Sequence, residues 1–302
     1  MFHIRYVEDL QWVIHFIQKL YKAHIKTKSK ERLAFFSNFA FGTEVFFKVI
    51  TTLYILSVFT FFPYPLYMYY FENEVVTIIP VYLPGVDETQ LAGYIILSCY
   101  QVLLFILATF GVLACDFFMA IIIISTLIFA KLISLDMAQI NDDLLQKNST
   151  LTVKSRLRNI LLMHQEMTKY MKRVEKLTFI MFFGQIASSS IGSVIIFYVI
   201  LTLHYLPVYG LLFGLLFQIF TACLLGNFVE LTHDRIYKSA LYINFNELSL
   251  EDQRIYRFFI KNCQKPALLT IGAMAPLNLA TCVTIFSRIY SITMLIFTMV
   301  VE

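Results

Sequence analysis

From Ala92 to Ile133 the chain carries only two charged residues, Asp116 and Lys131, and no proline or polar turn cluster interrupts it. That run exceeds the roughly 20 apolar residues with which one helix crosses a bilayer, and it is too apolar to face water. Val49 to Tyr70, Thr178 to Leu203 and Val208 to Val229 carry no charge at all, and Ala267 to Val301 carries one, Arg288. The composition agrees: 59% of residues are hydrophobic and 15% charged, with a mean hydropathy of +0.71, where a soluble domain averages about 25% charged. A net charge of +4 with no basic stripe excludes a nucleic-acid partner. Arg5, Glu8 and Asp9 break the first apolar stretch before a secretory h-region can form.

The distribution of Lys and Arg orients the spans, because cytoplasmic loops carry the basic excess. Of 24 basic residues, eight lie at or before Lys48, nine from Lys131 to Lys176 and six from Arg235 to Lys265, while 71–91 and 204–207 hold none. Segment 71–91 therefore reads as outside and 136–176 as inside, so residues 92–133 cross an odd number of times. One long helix, its lower half projecting into the cytosol, satisfies this; a hairpin does not. The predicted fold is all-α, a polytopic transmembrane helical bundle of inverted topology, with the N-terminus inside, the C-terminus outside and long helices running into a cytosolic anchor region.

The segments follow. Residues 1–48 form an amphipathic cytosolic linker, with Leu10, Val13, Ile14, Ile17 and Leu20 on one helix face. A span over 49–70 ends near Pro63 and Pro65, and an extracellular loop, 71–91, turns at Leu83-Pro84-Gly85. The long helix occupies 92–135, a cytosolic segment 136–177, and two spans 178–203 and 208–229. The small-residue run Ala187-Ser-Ser-Ser-Ile-Gly192 suits close helix packing. In the cytosolic anchor, 230–266, Ser249-Leu-Glu-Asp252 resembles a capping box ahead of an apolar face of Ile255, Tyr256, Phe259, Ile260 and Cys263. Residues 267–302 read as a short helix, a break at Gly272 and Pro276, and a last span.

Chemistry-bearing motifs are sparse. No histidine pair at i, i+4, no acid–His–nucleophile grouping and no glycine-rich phosphate loop occurs, so the sequence holds no enzyme signature and no cofactor site. The cysteines Cys99, Cys115, Cys223, Cys263 and Cys282 show no paired spacing, and no metal site is predicted. His233-Asp-Arg-Ile-Tyr237 is similar to the Asp-Arg-Tyr triplet of G-protein-coupled receptors, but it follows the fourth readable span in a chain of opposite orientation, and a solvated charge pair is the plainer reading. Asp116 falls near the cytosolic end of its crossing, where capping or packing outweighs ion coordination. Aromatic residues crowd the outer halves of the spans. Phe59, Phe62, Tyr67, Tyr94, Tyr100, Tyr209 and Phe213 are the candidate contacts of an apolar pocket for a small hydrophobic ligand, against the plainer reading of an interfacial belt.

The last 80 or so residues resemble the C-terminal region of insect odorant receptors. The resemblance rests on Cys223-Leu-Leu-Gly-Asn227, Tyr242, Asn246-Glu-Leu-Ser249, Gln264-Lys-Pro266, Pro276-Leu277 and Ser287-Arg-Ile-Tyr-Ser291. Upstream, Leu83-Pro-Gly-Val-Asp87, Tyr94, Gln101 and Asp116 also fit that family. Phe245 stands where a Trp is common, and five readable spans stand against the family's seven. The resemblance thus implies a chain lacking the first two spans, as from a truncated gene model or a splice form. It also implies an odorant-binding tuning subunit of a heterotetrameric cation channel built with the odorant receptor co-receptor (Orco), in the plasma membrane of olfactory sensory neuron dendrites. In that channel the last span lines the pore with Ser291, Leu295 and Met299 on one face, the latter two forming the apolar gate. Gustatory receptors share the fold, but Arg288 to Phe297 lacks their Gln before Phe297. A transporter or passive membrane scaffold is the competing class, beside a truncated non-functional form, and no inverted repeat supports a transporter.

The orientation has a direct test at Asn148-Ser-Thr150, a glycosylation sequon on the cytosolic side. Expressed in cells, the chain should show no mobility shift on glycosidase treatment; a glycan on Asn148 would overturn the topology.

Overall fold

In the computed structural model the apolar run is one unbroken helix, α4 (Leu91–Leu145). At 1.5 Å per residue its 55 residues span about 83 Å, far more than the roughly 30 Å hydrocarbon thickness of a bilayer. The structure describes residues 2–25, 30–60, 63–72, 83–86, 90–145, 150–203, 208–265 and 268–301. Ahead of α4 come α1 (Phe2–Ile25), α2 (Lys30–Phe59) and the short α3 (Pro63–Tyr67), which runs into a wider turn at Met68–Glu72. Behind it follow α5 (Thr150–Leu203), α6 (Val208–Leu241), α7 (Leu250–Cys263), strands β1 (Thr270–Ile271) and β2 (Ala275–Pro276), and α8 (Leu279–Val301). Five helices among the described residues are long and apolar enough to cross a membrane: Ala34–Phe59, Ala92–Leu145, Val153–Thr202, Val208–Leu241 and Leu279–Val300.

Hydroxyls inside these apolar helices bond back to the preceding turn. Thr109 donates to the Phe105 carbonyl at 2.7 Å, Ser125 to Ile121 at 2.7 Å and Ser134 to Ala130 at 2.9 Å. Each polar group is thereby satisfied without water, as a lipid-facing or close-packed helix requires.

The chain divides into two compact units. One comprises Met1–Lys26, Met119–Gln185 and Thr221–Cys282, the other Thr27–Phe118, Ile186–Phe220 and Val283–Glu302. In the first, the C-terminal half of α4 is its axis: Ile123, Ile128, Phe129, Leu132, Ile133 and Ile140 are all buried. A helix apolar on every side has to be wrapped by others. Tyr170 of α5 donates to the Ile122 carbonyl at 2.7 Å, and α1 stacks Phe16 on Phe129 at 5.2 Å and on Tyr170 at 5.5 Å.

The predicted face of α1 is rotated in the fold. Val13 and Leu20 are buried and Leu10 and Ile17 partly so, but Ile14 is exposed. The contact side runs instead through Asp9, Trp12 and Phe16. Asp9 pairs with Arg173 at 3.3 Å and Lys176 at 2.5 Å, and Arg173 lies 4.2 Å above the Trp12 ring. Ser249 caps α7 as its motif suggests, accepting from the Asp252 amide at 3.2 Å, and Tyr256, Phe259 and Cys263 are the buried face.

Helices α4, α5 and α6 run past the bounds read from the sequence, to Leu145, from Thr150 and to Leu241, and two further segments differ from it. The helix assigned to 49–70 starts at Lys30 and ends at Phe59, because prolines at 63 and 65 lack the N–H a continuing helix needs and instead start α3. Its earlier charges are tolerable because Glu44 and Lys48 pair at 2.6 Å one turn apart. Where the sequence predicts a short helix ahead of the last span, residues 270–276 form a hairpin with Thr270 opposite Pro276. Gly272 and Ala273 at its turn both take a φ of 57°, a left-handed conformation that cannot continue a helix.

The approach of this hairpin to α6 leaves no room for a side chain at Gly226, where a Cβ would lie 1.9 Å from the Leu277 carbonyl oxygen. Gly226→Ala should therefore lower stability by about 1–3 kcal/mol, the usual cost of overpacking, read as a fall in the thermal midpoint in detergent.

Candidate ligand and channel site

The second unit gathers part of each of the five apolar helices. Ile50 and Tyr54 of α2 and Leu113 of α4 form a buried cluster against which Phe46, Val112, Phe117 and Phe217 pack. The polar groups in this apolar setting are matched. The Tyr54 hydroxyl donates to the Asp116 carboxylate at 2.7 Å, joining α2 to α4. Ser57 donates to the Gly210 carbonyl at 2.7 Å, joining α2 to α6, and Ser189 of α5 donates to Gln218 of α6 at 2.7 Å. Asp116 is buried and ties α4 to α2 through this bond.

Close helix approach makes the bonds to α6 possible. Gly210 and Gly214 stand one turn apart on α6, and a Cβ on either would meet α2: Thr60 Oγ1 at 1.6 Å in the first case, Ser57 Oγ at 2.6 Å in the second. This is the small-xxx-small device of membrane helix pairs, which lets backbones come together where no hydrophobic drive separates helix from lipid. On α5, Gly192 of the predicted small-residue run approaches Leu215 of α6 in the same way, at 3.0 Å. Ile196 and Ile200 of α5 then pack with Val208 and Leu212 of α6.

The candidate ligand residues distribute unevenly. Phe213 stacks on Phe217 at 6.0 Å, and Phe217 meets Tyr54 edge-on at 5.8 Å, so Phe213 opens an aromatic file leading to Asp116. Tyr67 stacks on Phe71 at 5.1 Å. Phe59, Tyr67, Tyr100, Tyr209 and Phe213 itself are exposed on the chain, and Tyr94 is partly buried. Phe62 lies outside the described residues. Tyr54, Ser57, Phe217 and Gln218 are absent from the sequence-derived set. The only signal for Tyr54, Ser57 and Gln218 was a hydroxyl or amide inside an apolar run, and Phe217 carried none.

Helix α8 buries a narrow stripe, Cys282, Ile289 and Thr293, and leaves most of its apolar surface open. Leu295 is 60% and Met299 73% exposed, and Ser291 is exposed with its hydroxyl bonded back to Ser287. Arg288 stands three residues before Ser291 and seven before Leu295, so it extends the same face by one turn. It also lines a groove of about 410 Å³ between α5 and α8, with Ser190, Ile191, Val194 and Ile195 opposite. Among the described residues Arg288 has no ion-pair partner.

A bundle of long apolar helices joined by glycine contacts and internal hydrogen bonds defines a multi-pass helical membrane protein. The family model described as 7tm Odorant receptor matches residues 3–290, and the chain belongs to that family. A Drosophila melanogaster protein named as odorant receptor 83c is 22% identical over 244 residues, covering 76% of this chain and 62% of the relative. The chain thus spans less than two thirds of that relative's length. The insect olfactory receptor OR5 of Machilis hrabei has the same fold. Its structure in complex with eugenol matches with a TM-score of 0.70 at 15% identity, over 88% of this chain and 70% of that one. A second structure of the same receptor matches with a TM-score of 0.69 at 15% identity, over 87% and 68%.

The Tyr54–Asp116 bond makes a measurable contribution. Tyr54→Phe removes a donor from a buried carboxylate and should cost about 1.5–3 kcal/mol, as for hydrogen bonds to charged groups. A thermal midpoint in detergent indistinguishable from that of the parent would show the bond to be dispensable.

Proposed function

We propose that this chain is the odorant-binding, tuning subunit of a ligand-gated, non-selective cation channel, assembled as a heterotetramer with the co-receptor Orco. It would reside in the plasma membrane of olfactory sensory neuron dendrites, with its N-terminus in the cytosol. The observation that carries the reading is the open apolar face of α8 in a member of the odorant receptor family. A last span that covers so little of itself has surface left for neighbouring subunits and a pore. Ser291, Leu295 and Met299 line that pore, and Leu295 with Met299 forms a constriction that closes by dewetting. The ligand is a small volatile hydrophobic molecule. A receptor of the same fold has been solved in complex with eugenol, which supports this class.

The ligand pocket draws on Phe59, Phe62, Tyr67, Tyr94, Tyr100, Tyr209 and Phe213. Its occupation opens the channel only insofar as the open arrangement binds the odorant more tightly than the closed one. Pairs of close analogues separate weakly in such a pocket, by about 1–3 kcal/mol per methylene.

The test is co-expression with Orco in cells, with whole-cell current recorded across a broad odorant panel. Odorant-evoked cation current from this chain, or from the chain extended by two N-terminal spans, is expected. Leu295→Ser should raise the current in the absence of odorant. Silence from both forms, with both at the cell surface, would sink the channel reading.

A further inference from the structure

The first unit contains a cavity of about 670 Å³ whose lining differs from everything described above. Lys169 and Lys172 of α5 and Lys265, just after α7, border it, together with His164, His233 and Asn262. One carboxylate, Glu175, stands at its margin and accepts from Thr270 at 3.3 Å. Four other basic residues of α5 are paired: Lys154 with Glu251, Arg156 with Asp143, and Arg173 and Lys176 with Asp9. The three cavity lysines have no ion-pair partner among the described residues. His233 is only 8% exposed, and its Nε2 has no hydrogen-bond partner among the described residues. A buried, unmatched polar nitrogen of this kind calls for a ligand or water.

The site is not suited to a metal. His164 Nε2 lies 3.7 Å from Cys263 Sγ, but burial pushes that thiol up to about 12, so it is protonated at neutral pH. Among the described residues no group of three His, Cys, Asp or Glu side chains is placed to hold an ion. Net positive charge, amide and imidazole donors and ample volume suit an anion of several charges instead. The rim adds a location. Phe258 is 62% exposed beside the lysines. Glu175 and His233 each lie within about one helical turn of a cytosolic span end predicted from the sequence, and Lys265 stands just ahead of the last apolar run. Exposed aromatic surface beside basic residues is how a protein meets an anionic leaflet.

We propose that this cavity binds a multiply phosphorylated anion, either the headgroup of a polyphosphorylated inositol lipid or the free inositol phosphate. Lys169, Lys172 and Lys265 supply the charge and Asn262 donates a hydrogen bond to a phosphate oxygen. Burial holds the free His233 ring toward its neutral form, beside backbone bonds to Cys263 and Lys265, and an adjacent anion favours the protonated ring, whose Nε2–H then donates as well. The site is separate from the odorant pocket and does not depend on the channel reading.

The experiment uses the detergent-solubilised full chain, titrated with three probes: short-chain bisphosphorylated phosphatidylinositol, short-chain phosphatidylserine, and soluble inositol trisphosphate. The phosphorylated lipid should bind, phosphatidylserine should bind at least about tenfold more weakly, and K169Q/K172Q/K265Q should lose on the order of tenfold or more in affinity. K169R/K172R/K265R should retain binding, as should K19Q/K22Q, which alters exposed lysines of α1. Tight binding of inositol trisphosphate identifies the free phosphate as sufficient, and its failure beside a binding lipid identifies the lipid as the source; both support the site. If K169Q/K172Q/K265Q is not monodisperse, K172Q alone is read against K172R, with a loss of about threefold expected. No binding of any phosphorylated probe, equal binding of phosphatidylserine, or full affinity in the glutamine variants would each overturn the proposal.

Discussion

A bilayer offers no water to an unpaired amide, so every backbone group in a span has to be satisfied within its own helix. The rest of this structure follows from that constraint. It accounts for α4 as a single helix of 55 residues and for α5 as one of 54, since a break inside lipid would strand several donors and acceptors at once. It also accounts for the serine and threonine hydroxyls that bond back to carbonyls of the preceding turn. Because these helices are far longer than a bilayer is thick, α4, α5 and α6 each contribute residues to both compact units. Within one unit Ile, Leu and Phe are wrapped around α4, and within the other glycines bring α2 and α6 close together.

The two packing regimes use different glue. In the first unit burial of large apolar side chains is joined by ion pairs at the surface, such as Asp9 with Arg173 and Lys176. Half-exposed pairs of this kind contribute little in water, and their main effect is to select the side α1 presents. In the second unit hydrophobic drive between helices is weak, since lipid is as apolar as Leu. Contacts there depend on glycines that allow backbone approach, Gly210 and Gly214 above all, and on short polar bonds such as Tyr54 to Asp116 and Ser57 to Gly210. The Ser57 bond is possible because Gly210 and Gly214 beside it carry no side chain.

Arg288 illustrates how a residue without meaning in one dimension acquires one in three. Along the chain it is the lone basic residue inside the last apolar run. On α8 it continues the face of Ser291, Leu295 and Met299 toward the helix start, and it borders the groove with α5. A guanidinium without an ion-pair partner is costly in hydrocarbon. Its position on the open side of α8 therefore agrees with a face that meets water or another subunit rather than lipid.

Much of this architecture was legible in the residues alone. Uninterrupted apolar stretches and one-sided Lys and Arg imply an all-helical membrane bundle, and they imply that residues 92–133 form one helix, because span length and hydropathy are local properties. The capped start of α7 and its buried face were equally local. Three things were not. The contact side of α1 was decided by partners more than 160 residues away in sequence, and the hairpin at 270–276 by backbone geometry at Gly272 and Ala273 that no apolar pattern encodes. The convergence of Lys169, Lys172, His233 and Lys265 on one cavity depends on three segments meeting. Periodicity reports which face of a helix is apolar, but which residues face each other across helices is set only when the helices pack.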